Sequence, residues 1–363
     1  MKRLTMILLV IVLALATATG YLGYRLSEQQ PGLGESLFGT TPAQAKVIDA
    51  MAPVLSFTPE AVLGEVPGTI NDDLGRKVYI ENIPTKIVCM NPAAAEVLFL
   101  LGEDERLVGV SDAWLYWIKT PEELVTKIKN KVEDGQIKTF SHYPQFGISP
   151  DPEAILALEP GIVFSFGYTL PEYAKALEAT GVPVIAFAAD TLGDVLRNVV
   201  LIGKVVGKED EAAEIAKEMR ERMLAIGTKT IVSTKPSIFY EVWYDESGLW
   251  TAGSDSFISS LICLAGGEDI GTVVPSANPK IDPEYVIGSD PEIFILADAP
   301  LGAEAPQAIL PAERSGWGNL TAVKEGKVYR LTEEEIDRIS RPGPGLADGL
   351  ETLVKIIHPE LFE

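Results

Sequence analysis

Aromatic side chains concentrate in segments that directly follow predicted strands. A tryptophan or tyrosine ring offers a large, rigid apolar surface at a low cost in conformational entropy. Open α/β sheets bind ligands at the carboxyl ends of their strands, where these segments lie. The set predicts a site for a bulky, partly apolar ligand, although each ring could instead cap the core beneath it. Its members are Trp114, Tyr116, Trp117, His142, Tyr143, Phe146, Tyr168, Trp243, Tyr244 and Trp250.

Two polar residues accompany these rings. Arg341 is a fixed positive charge in the Pro/Gly loop Ser-Arg-Pro-Gly-Pro-Gly, where it could pair with an anionic ligand group or brace the carboxyl-terminal helix. His142 lies in the aromatic loop TFSHYPQFGISP, where it either touches the ligand or is an ordinary surface histidine. We therefore include both residues in the candidate binding site.

The sequence lacks the motifs that mark common catalytic and metal sites. It contains no G-x-S-x-G, C-x-x-C, H-E-x-x-H or G-x-G-x-x-G, and the segment GKVVGK fits a helix interior better than a phosphate loop. Histidine occurs only at His142 and His358, which argues against a histidine-built metal site. His358 is expected to complement the dipole of the last helix. We expect a binding protein with no catalytic residue, bound metal or cofactor of its own.

Charge and cysteine content narrow the class further. The 363 residues carry a formal net charge of −22, which should repel nucleic acid and anionic lipid and keeps an exported protein soluble. Cys89 and Cys263 both lie within apolar segments, so we interpret them as reduced core residues rather than as a disulfide.

Short apolar runs alternate with helical segments along the chain, which predicts parallel α/β lobes. The run KIVCM is followed by Asn91 and Pro92, which suit the N-cap and first position of a helix, and Gly102 suits its end. Residues 191–228 have helical periodicity, with Gly203 and Gly207 weakening the middle. They predict a long connecting helix, or two helices that meet near Lys208.

One segment occurs twice. Asp151-Pro-Glu and Asp282-Pro-Glu each precede two apolar residues, an acid-Pro turn and a buried strand. This repeat predicts two Rossmann-like α/β lobes, residues 69–190 and 229–363, joined by the helical segment 191–228 and enclosing a ligand cleft.

The amino terminus predicts export. Lys2 and Arg3 precede an uncharged apolar run from Leu4 to Tyr24, and Arg25 closes it. Residues 1–26 are therefore either a signal peptide or an uncleaved membrane anchor, with everything after them outside the cytoplasm. Residues 27–68 are rich in Gly, Pro, Ser and Thr and predict a tether with one short helix near Pro42–Met51.

Several segments are similar, in collinear order over about residues 69–363, to class III substrate-binding proteins of ABC importers, which capture ferric siderophores, haem or cobalamin. They are DDLGRKVYIENIPTKIVCMNPAAAEVLFLLGEDERLVGVSD, WTAGSDSFISSLICLAGGEDI, PKIDPEYVIGSDPEIFIL, GWGNLTAVKEGKVYRL and SRPGPG. The resemblance implies a monomer of two lobes that binds a small metal chelate and delivers it to a permease dimer with cytoplasmic ATPase subunits.

The resemblance also implies a role for Glu153 and Glu284, which lie where family members carry a permease-docking glutamate on each lobe. An acid in the first turn of a helix could equally be there for the helix dipole. Alternative functions are a metal-ion transport protein of the same architecture, a chelatase or hydrolase on a related scaffold, and a membrane-tethered sensor.

Overall fold

The computed structural model describes residues 42–62, 64–141, 148–167, 170–245, 247–298 and 310–362. The first elements are helix α1 (Pro42–Ser56) and the antiparallel hairpin β1 (Gly68–Asn71) and β2 (Lys77–Ile80). Asp72 closes the hairpin because its carboxylate accepts from the backbone of Leu74 and Arg76 and pairs with the Arg76 guanidinium at 2.6 Å.

The N-terminal lobe is a five-stranded parallel sheet flanked by helices, with strand order β5-β4-β3-β6-β7. Its central strand β3 is buried along its whole length. The helix after β3 begins as expected, because Asn91 Oδ1 accepts from the amides of Ala93 and Ala94 and Pro92 occupies the first helical position. The elements of the lobe are β3 (Ile87–Cys89), α2 (Pro92–Leu100), β4 (Leu107–Ser111), α3 (Ala113–Tyr116), α4 (Glu122–Glu133), β5 (Lys138–Phe140), α5 (Pro152–Leu156), β6 (Ile162–Phe166), α6 (Glu172–Glu178) and β7 (Val184–Phe187).

Two helices follow, α7 (Leu192–Val206) and α8 (Glu209–Thr230), and they pack against each other. A capping box between Thr191 and Asp194 starts α7, and Gly207 ends it with a φ of 75°. A side chain at Gly203 could not fit, because its Cβ would lie 2.2 Å from the Cβ of Ala212. The glycines that weaken the helical pattern therefore make the corner between two helices.

The C-terminal lobe has strand order β10-β8-β11-β12, all parallel, with β9 antiparallel to β8. The two α/β lobes predicted from the sequence are confirmed. The elements of this lobe are β8 (Ser237–Asp245), β9 (Gly248–Thr251), α9 (Phe257–Leu264), β10 (Glu268–Asp269), α10 (Pro283–Ser289), β11 (Ile293–Leu296), α11 (Thr321–Lys324), β12 (Val328–Arg330), α12 (Glu333–Ser340) and α13 (Leu346–Ile357).

Both cysteines are free, and Cys89 is fully buried in the N-terminal lobe. Burial raises the pKa of the Cys89 thiol to about 12 and that of Cys263 to about 11. The expectation of reduced cysteines agrees with this arrangement, although Cys263 is only partly buried.

Helix α1 corrects the prediction that residues 27–68 are a tether. Val47, Met51 and Val54 are buried in the core, and the helix packs on α7, α8 and α9. Arg220 on α8 donates from Nε to the carbonyl of Val54 at 3.0 Å and from Nη2 to that of Leu55 at 3.1 Å. These three apolar residues recur at helical spacing. The pattern was hard to recognise in the sequence, because the segment around it is rich in Gly, Pro and other small residues. From Pro42 onward the chain is part of the folded body.

We predict that Met51→Ala lowers the free energy of unfolding by about 2–4 kcal/mol, because it empties a site at the junction of α1, α8 and α9. Lys46→Ala is the matched control on the same helix. It removes only a solvent-exposed ion pair with Glu268 (2.6 Å) and should cost no more than about 0.5 kcal/mol. Denaturant titration measures both. Equal, negligible effects would show that α1 is not part of the cooperative core.

Candidate functional site

A cavity of about 670 Å³ lies between the two lobes. In the N-terminal sheet its lining begins where strands end, at Asn91 after β3, Ser111 of β4 and Phe166 of β6. In the C-terminal sheet it includes Trp243 of β8 and Ala297 after β11. In the N-terminal sheet the strand order reverses between the neighbouring strands β3 and β6, and in the C-terminal sheet it reverses between β8 and β11. Open α/β sheets bind ligands at such a reversal.

Helix α7 forms part of the cavity wall with Val195, Asn198, Val199 and Ile202. Its position is set through the β1–β2 turn. Asp73 in that turn accepts from Asn198 Nδ2 and from the backbone of Ala188, each at 2.7 Å, and pairs with Arg197. The connecting helix is therefore both a spacer between the lobes and a surface of the site.

Aromatic rings from both lobes line the cavity. Tyr116 is 61% exposed and borders it together with Trp117, and Trp243 faces it from the other lobe. The indole of Trp243 is oriented by a hydrogen bond from Nε1 to Asp245 Oδ2 of 2.9 Å. Sequence reasoning missed Phe166, Phe187 and Phe257, which also line the cavity. Their signal was available, since Phe166 and Phe187 end apolar strands.

Three predicted residues do not line this cavity. Trp114 is fully buried in the core of the N-terminal lobe, because α3 turns it away from the side that presents Tyr116. Tyr244 points to the opposite face of β8 from Trp243, and its ring stacks on the Arg314 guanidinium at 3.9 Å. Trp250 lies under the ammonium group of Lys280, 4.8 Å from the ring centroid. His142, Tyr143, Phe146 and Tyr168 are outside the described residues.

Arg341 lies in the cavity wall, but its hydrogen bonds go to protein groups of both lobes. Nε donates to Glu96 Oε2 of α2 at 3.1 Å, and Nη1 donates to Asp337 Oδ1 of α12 at 2.7 Å. Nη2 donates to the carbonyl and hydroxyl of Thr120 in the N-terminal lobe. The Asp337 carboxylate also contacts the N-terminal lobe, because it accepts hydrogen bonds from the backbone amides of Lys119 and Thr120. We call this network of Glu96, Thr120, Asp337 and Arg341 the interlobe clamp.

The clamp is buried, so removing one of its charged partners should strongly lower the stability of the protein. The side chains of Arg341 and Glu96 are each 7% exposed. Burial raises the pKa of Glu96, while the neighbouring Arg341 acts in the opposite direction and favours the carboxylate. Of the two roles considered for Arg341, bracing is the one these contacts support, and the braced partner is the opposite lobe.

A second buried charge cluster in the C-terminal lobe was not predicted. Glu241 of β8 is fully buried and binds Arg314 through two hydrogen bonds of 2.5 and 2.6 Å. Asp298, directly after β11, is buried nearby, and its pKa is raised to about 7 by burial and by the charge of Glu241. The signal was a single glutamate inside the apolar strand SIFYEVWY. The cluster fixes the ends of the strands that carry Trp243 and Ala297 to the cavity.

Glu153 and Glu284 lie in equivalent places on the two lobes. Each is exposed in the first turn of a short helix, α5 or α10, and its amide is capped by the preceding aspartate, Asp151 at 3.0 Å or Asp282 at 2.9 Å. Neither glutamate lines the cavity, and within the described residues no ion-pair partner is present for either. Their carboxylates are therefore accessible to another molecule.

In the described part of the chain, no group of three or more His, Cys, Asp or Glu side chains is placed to hold a metal ion. Nor does that part contain a helix with the length and apolar character needed to cross a membrane. The predicted signal or anchor, residues 4–24, lies outside it.

Residues 87–335 match the model of one protein family, described as periplasmic binding protein. The match spans well over half of the chain. This chain belongs to the periplasmic binding protein family. The predicted class, a solute-binding component of an ABC importer that works outside the cytoplasm, is thereby confirmed.

Individual proteins resemble the chain at 20–26% identity. An uncharacterised ABC transporter substrate-binding lipoprotein of Bacillus subtilis is 26% identical over 82% of this chain and 87% of its own. A cobalamin-binding protein of Halobacterium salinarum is 25% identical over 80% and 74%. The molybdate-bound structure of a Haemophilus influenzae protein superposes with a TM-score of 0.66 at 20% identity, covering 81% and 92%. These relatives are named for different ligands, so they do not identify the ligand of this chain.

The clamp of this periplasmic binding protein can be tested by stability. We predict that Arg341→Met lowers the free energy of unfolding by about 3–5 kcal/mol, because it leaves Glu96 and Asp337 buried without their cation. Arg338→Met, in the last turn of α12, is the control and should cost less than about 1 kcal/mol. Thermal or denaturant unfolding reports the difference. A stability loss no larger than that of the control would show that the clamp does not hold the lobes together.

Proposed function

We propose that this protein captures a small metal chelate in the interlobe cavity and delivers it to an ABC permease, without catalysing a reaction. The observation that carries the proposal is a cavity large enough for a small molecule, lined mainly by aliphatic and aromatic side chains from both lobes. Relatives whose names refer to cobalamin and to Fe³⁺-hydroxamate transport support a chelate as the ligand.

The cavity wall gives little support to the alternative of a bare metal ion as ligand. Its described carboxylates are Glu333 and Asp337, and Asp337 is occupied by Arg341 and Thr120. A transition-metal ion needs several nitrogen, sulfur or oxygen ligands that converge on one point. A large chelate instead needs apolar surface and a few polar contacts, which this wall provides.

An enzymatic function on the same scaffold is also poorly supported. Hydrolysis or metal insertion would use a nucleophile or base within reach of the ligand. His358 is buried away from the cavity, where its Nε2 lies 3.2 Å from the carbonyl of Gly266 and its Nδ1 lies 2.9 Å from Glu360. The lining serines Ser111 and Ser340 have no histidine among the described lining residues.

Delivery is assigned to Glu153 and Glu284. Two exposed carboxylates in equivalent turns of the two lobes would suit a permease dimer that presents a cationic group, such as arginine, to each lobe. Their separation from the cavity lining would let docking and ligand binding use different surfaces.

We predict that Trp243→Ala and Tyr116→Ala each weaken chelate binding, with Trp243→Ala costing about 2 kcal/mol or more, because they remove aromatic surface from opposite walls. Trp250→Ala is the matched control, since Trp250 lies outside the cavity lining. Binding of cyanocobalamin and of a ferric tris-hydroxamate is measured by tryptophan fluorescence, with a melting curve for each variant. Affinity that drops only for Trp250→Ala, or for none of the three, would remove the cavity as the binding site.

The docking role predicts that the double variant Glu153→Ala/Glu284→Ala keeps its chelate affinity and melting temperature but loses transport. Charge reversal to lysine should be more harmful, because it places like charges against the permease. The control is Glu172→Ala/Glu334→Ala, which removes exposed first-turn glutamates from α6 and α12. Uptake of radiolabelled chelate into cells or permease-containing liposomes is the readout. Normal uptake with the first pair would disprove docking through these residues.

A further inference from the structure

The charges around the cavity determine which chelates it can bury. Among the described lining residues, the only cationic side chains are Lys119 and Arg341, and the only carboxylates are Glu333 and Asp337. The described wall therefore has no net formal charge. This wall can accommodate an anionic ligand only if one of the two cations is free to pair with it.

Arg341 is not available. Its guanidinium already bonds to Glu96, Asp337 and both oxygens of Thr120 in the interlobe clamp. Redirecting it to an anionic ligand would leave the buried Glu96 carboxylate without its partner. A buried carboxylate that loses its cationic partner is strongly destabilising.

Lys119 is occupied as well. Its Nζ lies 3.1 Å from Glu333 Oε2 and donates to the carbonyl of Tyr116, also at 3.1 Å. This pair is partly solvent-exposed and therefore weaker than the clamp. Lys119 is the one cation of the described wall that a single substitution of its partner could release.

Three internal segments that the structure does not describe contain no lysine or arginine. Residues 142–147 read HYPQFG, residues 168–169 read YT, and residues 299–309 read APLGAEAPQAI. Their only basic side chain is His142. This follows from composition alone and holds wherever these segments lie.

Acidic side chains also lie beside the cavity. Asp190 directly follows the lining residues Ala188 and Ala189. Burial raises the pKa of Asp190, and the nearby carboxylates of Asp194 and Asp255 raise it further. Asp255 belongs to the other lobe, so acidic groups of both lobes contribute to the field beside the cavity. The whole chain, with its net charge of −22, adds to this field.

We infer that the ligand of this cleft carries no net negative charge and is a neutral or cationic metal complex. An anion buried in this wall would lose its hydration without gaining a free cation, which is unfavourable. A ferric ion bound by three hydroxamates is neutral, and a corrinoid whose carboxylates are amides is neutral or cationic. A ferric tris-catecholate, a porphyrin with free propionates and an oxyanion such as molybdate are negative. The inference rests on the proposed capture of a chelate.

The test compares neutral probes with anionic probes. Full-length protein in mild detergent is titrated with a neutral ferric tris-hydroxamate, cyanocobalamin, an anionic ferric tris-catecholate and molybdate, with tryptophan fluorescence as the readout. We expect at least one neutral probe to bind, and to bind at least about tenfold more tightly than either anion, with a larger preference at low salt. Tighter binding of an anionic probe would overturn the charge rule and leave chelate capture intact. If no probe bound, the proposed function would fail as well.

A variant tests the cause of the preference. Glu333→Lys removes the partner of Lys119 and adds a second cation, so it should strengthen binding of the anionic tris-catecholate by about tenfold or more. Glu334→Lys makes the same charge change at the next position, outside the cavity lining, and should give less than about a threefold gain. Equal gains from the two variants, or none from Glu333→Lys, would show that the charge of the wall does not select the ligand.

Discussion

The relation between the two lobes depends on one buried guanidinium. Arg341 belongs to the C-terminal lobe, yet its bonds reach Glu96 and Thr120 of the N-terminal lobe as well as Asp337 of its own. A buried arginine between two carboxylates tolerates little displacement, because each broken bond leaves a desolvated charge. The loop after it is close-packed too, since a Cβ at Gly343 would lie 3.0 Å from Ala93 Cβ. The cleft is therefore built at a fixed width on this side.

The other side of the cleft is held by apolar packing. Helices α7 and α8 pack on each other, and α1 lies against both as well as against α9 of the C-terminal lobe. A side chain at Gly227 would bring its Cβ within 3.0 Å of Met51 Sδ, so α1 and α8 approach at the distance that glycine permits. Apolar contacts of this kind are less directional than the clamp. Together the two sides hold the carboxyl ends of both sheets around one cavity.

The sequence was sufficient where a feature depends on local chemistry. The buried strands, the Asn91 cap, the hairpin turn at Asp72 and the corner after Gly207 follow from neighbouring residues. The repeated Asp-Pro-Glu segments likewise placed Glu153 and Glu284 in matching exposed turns.

It was not sufficient where the direction of a side chain depends on distant packing. Trp114 and Tyr116 are two positions apart, yet one is core and the other borders the cavity. Adjacent residues of a strand separate in the same way, which directs Trp243 to the cavity and Tyr244 to Arg314. The partners of Arg341 lie up to 245 positions away, so no local pattern could have revealed them.

The clamp affects both the charge available to a ligand and the relative placement of the two lobes. By occupying Arg341, it withdraws from the cavity the one buried cation of the described wall that could have balanced an anionic ligand. By joining the lobes, it also fixes how α5 and α10, which carry Glu153 and Glu284, are placed relative to each other. An anionic ligand strong enough to capture Arg341 would have to release Glu96 and Asp337, and would therefore disturb the spacing of α5 and α10. A neutral ligand leaves both intact. Under the proposed charge rule and docking role, the charge of the ligand and the relative placement of α5 and α10 depend on the same four residues.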